Sequence, residues 1–155
     1  MESCCGKGYE TYSLACILRK RYPEARIKIW ASDNDLLAVS SAPNMVFEMD
    51  RVPEFYHEYL VKGRFGYSFN QVIKDSILFE YHDIKNVNPF ADLDMIMARD
   101  VISFLSPEDQ QKVIADFTEK LKPHGLVLVG QHEHLEGSEW QALGKDPISM
   151  YTLEG

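Results

Sequence analysis

Cysteine is scarce in this chain, with three in 155 residues, two of them adjacent at Cys4-Cys5. They form neither a Cys-x-x-Cys pair nor a zinc spacing, so no disulfide framework and no metal site is expected. Such usage fits a reduced, cytoplasmic compartment. Long apolar runs are lacking too. None approaches the roughly 18 residues that a membrane span needs, and no secretory leader is expected. Positive charge is in deficit: the formal net charge is −8. That balance argues against nucleic acid and anionic membrane, whose phosphates call for a cationic field. Repeats and low-complexity segments are absent as well. What is present is ordinary globular usage, 45% hydrophobic and 26% charged, enough for a single domain over residues 1–155 with a core of its own.

The densest information lies near the start. Gly6-Lys7-Gly8 runs straight into the helical pattern Tyr9-Glu10-Thr11-Tyr12-Ser13-Leu14-Ala15. A glycine turn at a helix start lets a ligand approach the backbone and face the helix's positive end. Trp30-Ala31-Ser32-Asp33-Asn34-Asp35 then reads as a strand ending in acids. An acid about 20 residues beyond such a turn is placed to hydrogen-bond a ribose. Gly8 to Asp33 fits that spacing loosely and points to a nucleoside-containing ligand. Thr11 holds the position of a third Gly or Ala, which disfavours an NAD enzyme. Almost no strand precedes the turn, so the chain reads as a domain cut from a longer one.

Alternation of helix and strand continues along the chain. The pattern predicts a helix over Tyr9–Arg21 with Leu14, Ile17, Leu18 and Arg21 on one face, ended by Pro23. A strand is expected over 27–32, then a short helix capped by Asp35. Residues 43–53 read as loop and 54–61 as a short helix. A small hairpin is expected over about 60–70, projecting from the sheet with Phe65, Tyr67 and Phe69 exposed. Strands follow at 76–81, at the apolar run 93–98, and at 126–129. Between the last two lies the clearest helix, capped by Ser106, with Pro107 in its first position and Glu108 and Asp109 at its positive end. Val113, Ile114, Phe117 and Leu121 form its stripe, and Pro123-His124-Gly125 is read as its stop. Residues 148–153 read as a last edge strand. The class is α/β: an open, mostly parallel sheet with an antiparallel edge strand.

In such sheets ligands sit beyond the carboxyl ends of the strands. Four segments fall there: Gly6 to Glu10, Asp33 to Asp35, Asp83-Ile84, and Arg99-Asp100. With Met97-Ala98-Arg99-Asp100-Val101-Ile102-Ser103-Phe104-Leu105 and the stretch from Leu121-Lys122-Pro123-His124-Gly125-Leu126 through Gly130-Gln131-His132-Glu133, these segments stand in the order and spacing of a known family. The chain resembles the catalytic domain of the CheR chemotaxis receptor methyltransferases. The resemblance implies a Rossmann-like methyltransferase fold, S-adenosylmethionine as cofactor, and chemoreceptors or other chemotaxis array proteins as partners. It implies Gly6, Gly8, Glu10, Asp33, Asp83, Ile84, Arg99 and Asp100 as the cofactor-binding set, with Arg99 the candidate for a catalytic role. The family's hairpin insertion, which in some members docks a receptor tail by strand addition, would correspond to residues 60–70.

The chain also departs from the family pattern. Where the family reads Ser-Thr-Gly-Glu-Glu-Pro-Tyr-Ser, this chain has Gly6-Lys7-Gly8-Tyr9-Glu10-Thr11-Tyr12-Ser13. An asparagine has become Asp83, another has become Asp100, and a tyrosine has become Phe104. The family's N-terminal helical domain is not seen in the sequence. Methyl transfer to a carboxylate needs alignment and exclusion of water more than a strong base. Two lost polar contacts at about 1–3 kcal/mol each would weaken binding on the order of 10²-fold. The first expectation is therefore a CheR-like domain with a weakened cofactor site, acting as a non-catalytic interaction or scaffold module, with homodimerisation as one mode. An active protein-glutamate methyltransferase and a non-catalytic S-adenosylmethionine sensor are the alternatives. Structural readings stand beside the functional ones: Asp33 as a turn cap, Arg99 as a partner of Asp100 or Glu133, His132 and His134 as surface groups, and Cys4-Cys5 as small buried packing.

Overall fold

A computed structural model describes residues 2–3, 6–145 and 147–154. Cys4 and Cys5, expected as buried packing, lie outside the described residues. The elements in chain order are β1 (Glu2–Ser3), α1 (Tyr9–Arg21), β2 (Ile29–Asp33), α2 (Leu36–Ser41), β3 (Leu60–Gly63), β4 (Gly66–Phe69), α3 (Gln71–Lys74), β5 (Ile77–Tyr81), β6 (Leu93–Ala98), α4 (Pro107–Lys120), β7 (Leu121–Val129), β8 (Trp140–Ala142) and β9 (Ser149–Leu153). They form two compact units, Cys5–Tyr81 and Met1–Cys4 with His82–Gly155.

In the unit Cys5–Tyr81, β2 and β5 pair in parallel with Ile29 opposite Ile77 and Asp33 opposite Tyr81. The core of this unit is aromatic. Tyr12, Phe47, Tyr56, Tyr59 and Phe69 are buried together with Ala15, Cys16, Ile29 and Ile73. Tyr12 stacks on Phe69 at 4.3 Å between ring centroids, and Phe47 meets Phe69 edge-on at 5.3 Å. The hydroxyls of Tyr12 and Tyr56 find partners, as burial requires. The Tyr12 hydroxyl donates to the Ala42 carbonyl at 2.8 Å, and that of Tyr56 to the Tyr9 carbonyl at 3.0 Å. Burial pushes the Tyr12 hydroxyl up to about 12, helped by Tyr56. Burial likewise pushes the Cys16 thiol up to about 12, helped by Glu58, which keeps it a packing group and not a nucleophile.

The apolar stripe that the periodicity predicts on α1 is borne out in part: Leu14 and Leu18 pack partly buried against the core. Thr11, Tyr12, Ala15 and Cys16 are buried, whereas Ile17 is exposed. Small and aromatic residues fit the crowded aromatic core better than the branched chains do. Residues 43–53, read as loop, fold over this core as two 3-10 turns, Ala42–Asn44 and Met49–Arg51. Phe47 lies between them and forms an antiparallel bridge with Tyr67. Residues Glu54–Tyr59 form a 3-10 helix where a short helix is expected. The hairpin β3–β4 is present, with Leu60 opposite Phe69 and Gly63 opposite Gly66. Phe65 at its tip is 82% exposed, but Phe69 is 2% exposed and Tyr67 half-buried. Strand alternation turns Phe69 into the core, so the expected exposed aromatic trio is corrected to Phe65 alone.

The second unit orders its strands β1-β6-β7-β9-β8. Pairing is parallel for β1–β6 and β6–β7, then antiparallel for β7–β9 and β8–β9. The apolar runs 93–98 and 126–129 are therefore neighbours, as expected of buried parallel strands. Helix α4 begins where its signals place it. The Ser106 hydroxyl accepts from the Asp109 amide at 3.2 Å, and Pro107 opens the helix. Val113 and Phe117 are buried, and Ile114 is half-buried. The helix ends at Lys120, before Pro123, and Leu121 already belongs to β7. The expected stop, Pro123-His124-Gly125, instead lies inside β7. There the register jumps from Leu93↔Leu121 to Met95↔Leu126, and His124 takes a positive φ of 61. The segment 122–125 is thus a bulge, the usual way to carry an unpairable proline in a sheet. The expected edge strand at 148–153 is β9, but it is not the edge, because β8 pairs along its outer side. Three residues with one apolar anchor, Trp140, are too short a pattern to read as a strand beforehand.

These packing assignments make a direct prediction. Phe69→Ala should cost about 3–5 kcal/mol in denaturant unfolding, because it empties the centre of an aromatic core. Phe65→Ser should change stability by less than about 0.5 kcal/mol. Equal effects in the two variants would contradict the burial described.

Candidate functional site

In the unit Cys5–Tyr81 the candidate residues Gly6, Gly8, Glu10 and Asp33 cluster where β2 ends and α1 begins. Asp33 is the last residue of β2 and is 8% exposed. Its carboxylate is held from two sides by backbone. The Gly6 amide donates to Oδ2 at 2.9 Å and the Asp35 amide to Oδ1 at 2.8 Å. Asp33 therefore does act in a turn, as the structural reading holds, and at the same time it draws the glycine turn over its own side chain. Each carboxylate oxygen keeps capacity for further donors, such as a pair of ribose hydroxyls. Asp35 caps α2 as expected, its Oδ1 accepting from the amides of Leu37 at 2.9 Å and Ala38 at 3.3 Å.

Gly6 and Gly8 both adopt positive φ, 50 and 87. A side chain at Gly8 would also press on Ala42 and the Phe79 ring at 3.3 Å, whereas Gly6 has open space around it. Gly8 is thus demanded by packing and backbone together, and Gly6 by backbone alone. Glu10 lies in the first turn of α1, half-buried, where a carboxylate suits the helix dipole.

The other four candidates belong to the second unit. Asp83 shapes a turn: its Oδ1 accepts from the Lys85 amide at 3.0 Å and its carbonyl from the Asn86 amide at 2.9 Å. Ile84 is half-buried inside that turn. Arg99 and Asp100 are exposed and follow directly on β6. Asp100 has φ 55, the left-handed region that aspartate and asparagine tolerate best among residues with a side chain. Phe104, where the family resemblance puts a tyrosine, is 84% exposed.

One residue outside the candidate set organises this loop. Glu133 is 4% exposed. Its Oε2 accepts from the amides of Asp100 and Gly130, both at 2.8 Å, and its Oε1 from the Ser103 amide at 2.8 Å. Burial would raise this carboxyl, but the backbone donors of Ser103, Gly130 and Asp100 and the Ser103 side chain outweigh it. The group is held below the usual glutamate value of 4.5. The sequence reading places Glu133 at the end of a family-matching stretch and as a structural partner for Arg99; the structure spends its carboxylate on backbone amides. The nearest available signal was the Gly130-x-x-Glu133 spacing straight after β7. His132 and His134 are exposed; among the described residues no group of three or more His, Cys, Asp or Glu side chains could hold a metal ion. No helix of the described residues is long and apolar enough to cross a membrane.

An acid closing a parallel strand, with a glycine turn drawn onto it by hydrogen bond, is an arrangement that nucleoside-binding α/β domains use. Solved structures share the fold. A TehB-like SAM-dependent methyltransferase from Corynebacterium glutamicum matches with a TM-score of 0.59 at 12% identity, covering 99% of this chain and 78% of that one. PKMT2 from Rickettsia typhi in complex with AdoHcy matches with a TM-score of 0.54 at 16% identity, covering 83% of this chain and 19% of that one. The family assignment is narrower. Residues 1–148 match the CheR methyltransferase, SAM binding domain, and the chain belongs to that family. A Pseudomonas putida protein provisionally named methyltransferase Cher3 is 22% identical over 88% of this chain and 54% of its own length. The chemotaxis protein methyltransferase of Listeria monocytogenes is 23% identical over 86% of this chain and 52% of its own length. The chain thus spans about half the length of these curated relatives. S-adenosylmethionine is the cofactor of this domain family, and the amide-held Asp33 carboxylate keeps acceptor capacity of the kind a ribose diol would need.

Glu133 carries a pH signature. Its lowered value in the folded state means that its contribution to stability is complete above about pH 4.5 and is lost as pH falls through the folded value. Glu133→Gln should cost about 2–3 kcal/mol at neutral pH. The gap between the two melting curves should close on acidification. A gap that stays constant from pH 7 to pH 3 would show that the carboxylate is not the acceptor described.

Proposed function

We propose that this domain binds S-adenosylmethionine and its product S-adenosylhomocysteine as the cofactor half of a chemotaxis-type protein-glutamate methyltransferase. The observation that carries the reading is the Asp33 carboxylate, buried at the end of β2 and held by the Gly6 and Asp35 amides. A carboxylate so oriented is pre-organised for the two ribose hydroxyls, which lowers the ordering cost of binding. Glu10, Gly6 and Gly8 complete this side of the cofactor's environment. The resemblance to the family adds Asp83, Ile84, Arg99 and Asp100 of the other unit as cofactor-binding candidates. S-adenosylmethionine supplies an electrophilic methyl group on a sulfonium. The work of the chain is to orient it and to keep water away, because a glutamate carboxylate is a ready nucleophile at neutral pH. The family resemblance points to glutamates of chemoreceptors as substrates, and the Listeria relative is named a chemotaxis protein methyltransferase.

Calorimetric titration with S-adenosylhomocysteine tests the reading. The native chain should bind, and Asp33→Asn should weaken binding at least 10-fold, because the amide nitrogen repels the Gly6 or Asp35 amide that the carboxylate accepted. Equal affinity in both proteins would remove Asp33 from the site.

A second reading is favoured by Asp100 and Phe104. Asp100 places an additional negative charge where the family pattern has an amide, and the exposed Phe104 lacks the family's hydroxyl. On this reading the domain binds cofactor weakly and acts as an interaction module, with the hairpin β3–β4 offering Phe65 and a strand edge to an extended receptor segment. Radiolabelled methyl transfer to receptor fragments discriminates between the two. Incorporation that rises several-fold in Asp100→Asn with Phe104→Tyr would favour a methyltransferase limited by those two positions. Undetectable transfer in both, with receptor binding abolished by Phe65→Ser, would favour the module.

A further inference from the structure

Resting on the cofactor reading, we infer that Glu133 is a positioning residue for cofactor binding: its carboxylate fixes the turn after β6 in the left-handed conformation that displays Arg99 and Asp100. Three observations converge. The backbone of Asp100 stands at φ 55, a conformation that costs an L-residue on the order of 1 kcal/mol and persists only where its surroundings impose it. The imposing contact is the Asp100 amide itself, which donates to Glu133 Oε2 at 2.8 Å, while the Ser103 amide on the far side of the turn donates to Oε1 at 2.8 Å. One carboxylate thereby pins both ends of the segment 100–103. The third observation is steric. Gly130, whose amide also donates to Glu133 Oε2 at 2.8 Å, lies so close that a Cβ there would collide with the Asp100 side chain and meet the Asp100 amide and Glu133 Oε2, each at 2.9 Å. Gly130 is therefore glycine so that this turn can close on Glu133.

No other acceptor chemistry would serve as well. A carboxylate offers only acceptors, and here every neighbour is a donor. Glutamine is nearly the same size, but whichever way its amide is turned, an N–H₂ faces backbone N–H groups. The segment would then relax toward negative φ at Asp100 and lose the backbone geometry that presents Arg99 and Asp100. The effect of Glu133 on binding is indirect, through a backbone that it holds.

The test uses the whole chain and S-adenosylhomocysteine. Amide signals of Asp100, Ser103 and Gly130 in a nitrogen-proton correlation spectrum should lie downfield, as donors to a carboxylate, and should move upfield together in Glu133→Gln. Calorimetry should show affinity at least 10-fold weaker in Glu133→Gln, while the protein still melts cooperatively. Gly130→Ala, which keeps every acceptor and adds only a methyl group, should lose affinity in the same way and serves where Glu133→Gln does not fold. Affinity within two-fold of native in either variant, with the amide signals displaced, would overturn the inference and leave the cofactor reading standing. Native amide signals at ordinary positions would overturn it as well. No binding by the native chain would overturn the cofactor reading itself, and the inference with it.

Discussion

A buried carboxylate accepting backbone amides is the interaction on which both candidate regions depend. Where a parallel strand ends, the following loop has amides with no ladder partner, and leaving them bare inside the protein is costly. Asp33 answers this at the end of β2 by taking the Gly6 and Asp35 amides. Glu133 answers it after β6 by taking those of Asp100, Ser103 and Gly130. Hydrogen bonds to a charged acceptor are roughly twice as strong as neutral ones. The same contacts that satisfy the backbone also set loop shape, and loop shape is what a cofactor meets.

Much of this was legible in the sequence. The start of α4 could be read from Ser106 and Pro107, and that of α2 from Asp35, because capping is local chemistry. Strand β6 could be read because a run of apolar residues leaves little choice. Asp33 was visible through its distance from the glycine turn. What stayed hidden depends on contacts far apart in the chain. On α1 the periodicity finds Leu14 and Leu18, which pack at the core's margin, but not Thr11, Tyr12, Ala15 and Cys16 at its centre, a choice made by Phe47, Tyr56 and Phe69 and not by the helix itself. Pro123 looked like a helix stop because proline in a strand is uncommon, and only the pairing of β7 with β6 reveals the bulge. Glu133 looked like a charge awaiting a cation; the amides it accepts come from residues 3 to 33 positions away.

The departures from the family pattern read differently once backbone conformation is known. At Asp100 the change from asparagine to aspartate keeps a residue type that tolerates φ 55, so the turn survives while its charge changes. Phe104 sits exposed beside a turn that no longer carries a hydroxyl at that point.

The three residues of β8 have a consequence outside the site altogether. They cover the outer side of β9, a five-residue strand with the sequence Ser-Met-Tyr-Thr-Leu, which is uncharged and rich in β-forming residues. Left bare, such an edge would be a template for pairing with a second chain, the first step toward ordered aggregates. β8 occupies that template, anchored by the buried Trp140, and is itself too short to offer another. A brief strand of little apparent importance thus works as a guard on the solubility of the whole chain.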